Sequence, residues 1–193
     1  QDVRKVNKIK TDTMTGGTSF NLLTNGSFER DLYGWTAYLG SNCVGEINTG
    51  SSCNYFGTHS LKIGSSGTTA ATGKYDHTAV TLPAGKYTLS AYVKTVDFES
   101  ASGGAYIELG SNRSAYISST TSNYINGGWK RLTVSLTLAS QTTVFATLGI
   151  NSSKGTAYFD GIQLETDSYG DYNLLENGTF DEGTYGWTKP AYV

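Results

Sequence analysis

Three observations predict an all-β fold, a two-sheet antiparallel β-sandwich. Among 193 residues there are 24 Gly and 14 Tyr, with only 16% charged, against roughly 25% charged in an average globular chain. Apolar residues alternate with polar ones and nowhere keep helical spacing. Clusters of Gly, Ser, Asn and Pro then cut the chain into short segments. Aromatics at 12% separate this polar chain from disordered sequences, which lack them.

The elements follow in order. In Tyr87-Thr88-Leu89-Ser90-Ala91-Tyr92-Val93-Lys94 the positions 87, 89, 91 and 93 share an apolar face, leaving Ser90, Tyr92 and Lys94 on the other. Ala105-Tyr106-Ile107-Glu108-Leu109 and Ala115-Tyr116-Ile117-Ser118 repeat this scheme, as do residues 132–138 and 144–148. Each reads as a strand with one buried face. Turns are expected at Pro83-Ala84-Gly85, Ser102-Gly103-Gly104, Asn126-Gly127-Gly128 and Ser152-Ser153-Lys154-Gly155. Trp35, Leu61, Ile63, Leu89, Trp129, Leu136 and Phe159 are the expected core.

Asn21-Leu22-Leu23-Thr24-Asn25-Gly26-Ser27-Phe28-Glu29 returns as Asn173-Leu174-Leu175-Glu176-Asn177-Gly178-Thr179-Phe180-Asp181. Gly34-Trp35-Thr36 returns in the same register as Gly186-Trp187-Thr188. A period of about 150 residues exceeds that of stacked solenoid repeats, so the units are read as beads. The expected division is a linker over 1–20, one module over 21–170 and the start of a second, truncated repeat over 171–193. Adjacent repeats in a parent chain are therefore expected partners. The chain opens on Gln1, without a charged and apolar leader, and is expected to be a piece of a larger protein.

Several functions are disfavoured. A net charge of −2 provides no field for phosphate backbones, so no nucleic acid is expected. No apolar run approaches the 18 or so residues that cross a bilayer, so no membrane insertion is expected. His59 and His77 stand apart without a zinc pattern, and no nucleophile elbow, zinc-protease helix or phosphate loop occurs. The expectation is a protein that is not an enzyme. The sequons at Asn25, Asn112, Asn151 and Asn177 are assigned no glycan, and the first and last have a turn role in the repeat. Cys43 and Cys53 flank a hairpin-like segment with a Gly turn. They are either a disulfide across that hairpin, worth about 3 kcal/mol for such a loop, or two free thiols of a reducing compartment; a secreted composition favours the bridge.

The first repeat block, Gly57-Thr58-His59-Ser60-Leu61-Lys62-Ile63, Gly85-Lys86-Tyr87-Thr88-Leu89-Ser90-Ala91-Tyr92-Val93, Trp129-Lys130-Arg131 and Ala157-Tyr158-Phe159-Asp160-Gly161-Ile162-Gln163-Leu164-Glu165 resemble the carbohydrate-binding modules of the galactose-binding-like jelly-roll group. Those appended to xylanases and glucanases are the most similar. The resemblance covers nearly the whole module and implies a jelly roll that binds a polysaccharide or glycan without catalysis, in a secreted or cell-surface bacterial protein. The competing function is a structural spacer or adhesion module in a tandem array. The resemblance also implies a structural Ca2+ held by Glu29, the loop from Gly57 to Ser60, and Asp160. Gly161 departs from relatives that carry a second acid there. Sugars dock by stacking their C–H faces on rings while polar groups read the hydroxyls. The outward parity of Tyr92, Tyr106, Tyr116 and Phe145, with Glu108 beside them, makes these the candidate ligand-binding residues.

Overall fold

The structure, a computed structural model, describes residues 21–100, 102–118 and 128–166, all within one compact unit, Phe20–Asp167. The second copy of the repeat, the expected linker and most of the Asn126-Gly127-Gly128 turn lie outside the described residues. Strands follow in the order β1 Trp35–Leu39, β2 Cys43–Asn48, β3 Ser60–Ser65, β4 Ala71–His77, β5 Val80–Leu82, β6 Gly85–Glu99, β7 Gly104–Leu109, β8 Asn112–Arg113, β9 Trp129–Leu138, β10 Thr142–Val144 and β11 Ala146–Thr166. Among the described residues there is no α-helix, and one 3-10 turn covers Ser51–Cys53.

Nine of these strands form the predicted two layers, β5 and β10 pairing apart as a two-stranded ribbon, and β11, 21 residues long, belongs to both layers. Its first half pairs with β4 and β7, giving the order β1-β4-β11-β7-β8. Its second half pairs with β3 and β6, giving β2-β3-β11-β6-β9. All these pairings are antiparallel. Ser152-Ser153-Lys154-Gly155, read from sequence as a turn, is where β11 passes from one sheet to the other. Ser152 (φ 48°) and Gly155 (φ 81°) supply the left-handed backbone that bends the strand without ending its pairing, and Gly155 lies against the Asp97 carbonyl with no room for a Cβ.

Between the layers lies the core. Leu61 and Ile63, with Leu89, Ala91 and Val93, face Ile107, Leu109, Leu148 and Ile150 from the other sheet, and Phe159 and Leu164 close it. Trp35 is buried as expected, its ring 5.3 Å from that of Phe28. Leu136 is half-buried against the core. Trp129 is not in the core: it opens β9 opposite Lys94, at the outward parity of that sheet. The residues 115–118, expected as a strand, contribute only an isolated bridge between Ile117 and Ala105.

The repeat motif has a physical logic. Asn21 donates its side-chain amide to the Ile162 carbonyl (2.7 Å) and accepts from the Leu164 N–H (3.0 Å), which docks the entering chain on β11. Gly26 passes so close to the Ile162 carbonyl that a Cβ would collide with it. Asn25, at φ 52°, caps the next turn through Asp31, Tyr33 and Arg30, which is its turn role. Leu23 and Phe28 then drop into the core.

Candidate functional site

On the outer face of the β1-β4-β11-β7-β8 sheet, register aligns Tyr38, Lys74, Gly149 and Tyr106 in one row. Thr36, Asp76, Thr147, Glu108 and Arg113 form the next. Gly149 leaves a hole in its row, and the Tyr106 ring fills it: a Cβ on Gly149 would stand 2.7 Å from Cζ of Tyr106. Tyr106 is therefore 5% exposed, a floor instead of the projecting platform expected from parity, and burial pushes its phenol pKa up. Arg113 lies over that ring at 4.2 Å, and Tyr116 meets it edge-on at 5.8 Å.

The polar groups are held by one another. Arg113 bonds Glu108 Oε2 through Nε (2.8 Å) and donates from Nη1 to the Tyr116 hydroxyl (2.7 Å), which also accepts from the Asn151 side chain (3.3 Å). Asp76 accepts from the Thr147 hydroxyl (2.6 Å) and from Lys74 Nζ (2.8 Å), while that ammonium sits 5.3 Å from the Tyr38 ring centre. The two acids of this face are thus matched by its two cations. Tyr38 is 55% exposed on one flank and Tyr116 half-buried on the other.

Tyr106, Tyr116 and Glu108 thus come together here, and Phe145, 49% exposed, sits at the break between β10 and β11 beside the end of β7. Tyr92 does not join them. It lies on β6 in the opposite layer, as do Ser90 and Lys94, so outward parity alone did not make a single row. Tyr38, Lys74, Asp76, Arg113 and Asn151 were missed. Tyr38 had a signal in the alternation of Trp35-Thr36-Ala37-Tyr38-Leu39, whereas the others needed the strand order.

Glu29 and Asp160 both reach the loop over residues 55–59. Asp160, fully buried, accepts from the N–H groups of Tyr55 (2.7 Å) and Phe56 (2.8 Å) at Oδ2 and of Gly161 (2.6 Å) at Oδ1. Burial pushes its pKa up against the pull of these amides, and Glu29 adds to the rise. Glu29 accepts from the Thr58 and His59 N–H groups (each 2.9 Å) and the Thr58 hydroxyl (2.9 Å). Desolvation acts to raise the Glu29 pKa, but the Thr58 and His59 bonds outweigh it and lower it from 4.5 to about 2.

Calcium takes six to eight oxygens, and an ion at the expected site of Glu29, Gly57 to Ser60 and Asp160 would share the two carboxylates with the hydrogen bonds they already accept. Every oxygen of the two carboxylates already meets an N–H or O–H. Ser60 spends its hydroxyl on the Cys53 carbonyl (2.6 Å). Among the described residues no three His, Cys, Asp or Glu cluster at metal-binding distance.

Cys43 and Cys53 do not form the expected bridge; both are free thiols. The strand β2 pairs with β3 and not with the segment holding Cys53, so no hairpin joins them. Cys43 pairs with Ser65 at one end of that ladder, while Cys53 is tied to Ser60 at the other. At ~3.3 Å per residue the two serines they adjoin, Ser65 and Ser60, stand roughly 16 Å apart along β3, well beyond the ~7 Å that a disulfide spans.

The fold is that of a two-sheet β-sandwich. The chain belongs to the carbohydrate binding domain family CBM_4_9, whose pattern matches residues 20–163. No curated protein matches it. Among solved structures, TmCBM61 in complex with β-1,4-galactotriose is similar at 16% identity and TM-score 0.57, covering 77% of this chain and 100% of its own. The CBM22-1 xylan-binding domain from Paenibacillus barcinonensis is similar at 20% identity and TM-score 0.55, covering 79% and 97%. A cyclase from Fischerella sp. TAU, in complex with 4-(1H-indol-3-yl)butan-2-one, is similar at 15% identity and TM-score 0.57, covering 79% and 99%. At such identities the likeness is one of fold.

Proposed function

We propose that the chain is a non-catalytic module that binds an uncharged polysaccharide outside the cell, on the outer face of the β1-β4-β11-β7-β8 sheet. One observation carries the reading: Tyr38 and Tyr116 flank a strip whose charges cancel within it, Lys74 with Asp76 and Arg113 with Glu108. Tyr38 and the Tyr106 floor are three strand positions apart, about 14 Å at the usual ~4.8 Å spacing, which leaves room for a few sugar rings. Rings at the flanks suit the C–H faces of sugars. The held carboxylates, hydroxyls and ammonium between them suit hydroxyl groups without ordering cost, because their rotamers are already set. The xylan and galactotriose named for two similar structures support the ligand class.

Calorimetric titration with xylan, mixed-linkage glucan and galactan oligosaccharides tests it. At least one should bind, and Tyr38→Ala should weaken it about tenfold, the equivalent of ~1.4 kcal/mol, with an unchanged melting temperature. An absence of heat from the whole set, or an affinity indifferent to Tyr38, sinks the reading in favour of a spacer.

A further inference from the structure

The opposite sheet carries a second aromatic surface that the reading above does not use. The 49–59 loop crosses the outer face of β2-β3-β11-β6-β9 and lays the Tyr55 ring flat on Tyr92, with centres 3.7 Å apart and planes within 15°. Phe56 meets Tyr55 edge-on at 4.8 Å, and Trp129 does so at 5.5 Å from the other side. The loop is fixed there by the Asp160 bonds to the Tyr55 and Phe56 amides. Gly161, at φ 58°, makes the arrangement possible, since a Cβ would stand 2.7 Å from the Phe56 ring. Despite this anchoring, Tyr55 and Phe56 are 40% and 51% exposed. An apolar ring cluster that is rigidly built and still open to solvent is a contact surface in search of a partner.

Charge identifies that partner. Lys94 stands opposite Trp129, and Arg131 opposite Tyr92, in the β6–β9 register. Lys94 spends one donor on the Ser52 carbonyl (2.7 Å) and Arg131 one on the Ser90 hydroxyl (3.0 Å). Neither is paired with a carboxylate among the described residues. An ammonium has three donors and a guanidinium five, so both keep unspent N–H groups. The acid in the adjoining register position, Asp160, is fully buried and committed to its amides. On the first face each cation has its acid; here Lys94 and Arg131 have no ion-pair partner among the described residues, Glu46, Glu165 and Glu29 being engaged elsewhere, with Lys62, with Gln163, and with Thr58 and His59 respectively.

We propose that the Tyr55-Phe56-Trp129 surface, with Lys94 and Arg131, is a second glycan site that takes uronic-acid-bearing chains. The sugar ring packs on Phe56 and Tyr55, and its carboxylate pairs with Arg131, whose planar fork matches two oxygens at once. The site lies on the face opposite to the neutral one and is independent of it.

Calorimetry of the intact chain with oligogalacturonate, glucuronic-acid-substituted xylo-oligosaccharides and unsubstituted xylo-oligosaccharides separates the two sites. A uronate probe should bind with an affinity that falls several-fold from low to physiological salt. Arg131→Gln with Lys94→Gln should lower that affinity at least tenfold, and Phe56→Ala should lower it as well, while Tyr38→Ala leaves it unchanged. Since Arg131 is an exposed edge residue, the double Gln variant should keep the wild-type melting temperature and its response to neutral oligosaccharides. No uronate binding by the wild-type chain overturns the proposal. So does uronate binding that is lost in Tyr38→Ala and indifferent to Arg131→Gln, which would place all glycan on the first face.

Discussion

Removing the Asp160 carboxylate tests how the 49–59 loop is held. Its three amide bonds are charge-assisted, a kind worth about 1.5–3 kcal/mol each when a partner is deleted. They are not additive, and two of the amides belong to exposed residues where water replaces the lost acceptor. For Asp160→Ala we therefore expect about 3–5 kcal/mol, or a fall in Tm of roughly 10–15 °C for a unit of this size. Asp160→Asn keeps an acceptor toward Tyr55 and Phe56 but turns an NH2 against the Gly161 N–H, now 2.6 Å from the carboxylate, and should cost about 1–3 kcal/mol. The assay is urea unfolding with amide hydrogen exchange, in which the amides of Tyr55, Phe56 and Gly161 lose protection before the rest of the sheet. If amide bonds alone hold the loop, a chelator leaves the wild-type midpoint where it is. If the chelator lowers that midpoint and Asp160→Asn abolishes the response, the carboxylates hold a cation and the amide account is refuted.

Three further outcomes follow from the same geometry. Because the folded pKa of Glu29 lies at about 2, below its ordinary 4.5, its stabilisation is present above 4.5 and fades as pH falls toward 2. Asp160, shifted upward, acts in the opposite sense, so Glu29→Gln should flatten the acid limb of a pH–stability curve; an unchanged limb would count against the Thr58 and His59 bonds. Gly149→Ala should cost about 1–3 kcal/mol through overpacking and displace the Tyr106 ring, and a Tyr106→Ala background should relieve most of that cost; additive effects of the two changes would contradict direct contact. Thiol titration of the unfolded, unreduced chain should find both cysteines reactive, and an intact mass short of two hydrogens would restore the bridge.

Alternation along single strands was enough to tell that residues 87–94 are a strand, that Leu89, Ala91 and Val93 face inward, and that the whole is a two-sheet sandwich; the observed strand runs on to both sides, over Gly85–Glu99. Burial of one face is dictated by the side chains themselves, with a period of two that needs no partner to be read. The Asn-Leu-Leu-x-Asn-Gly-Ser-Phe block was likewise legible as a motif, because it returns in register at 173–181, although Asn21 and Gly26 owe their places to Ile162 and Leu164 on β11. Parity, however, says only in or out, and there are two outsides. Tyr92 and Tyr106 share outward parity, yet β6 and β7 belong to different layers, so one ring joins Tyr55 and the other Arg113. That assignment was decided by β11, which changes sheets at Ser152–Gly155 where local signals spelled a turn. The same long-range pairing put Cys43 and Cys53 at opposite ends of a ladder and drew Glu29 and Asp160 to one loop. Register between strands distant in sequence depends on how the complete core packs, so only the tertiary structure could settle which side chains meet.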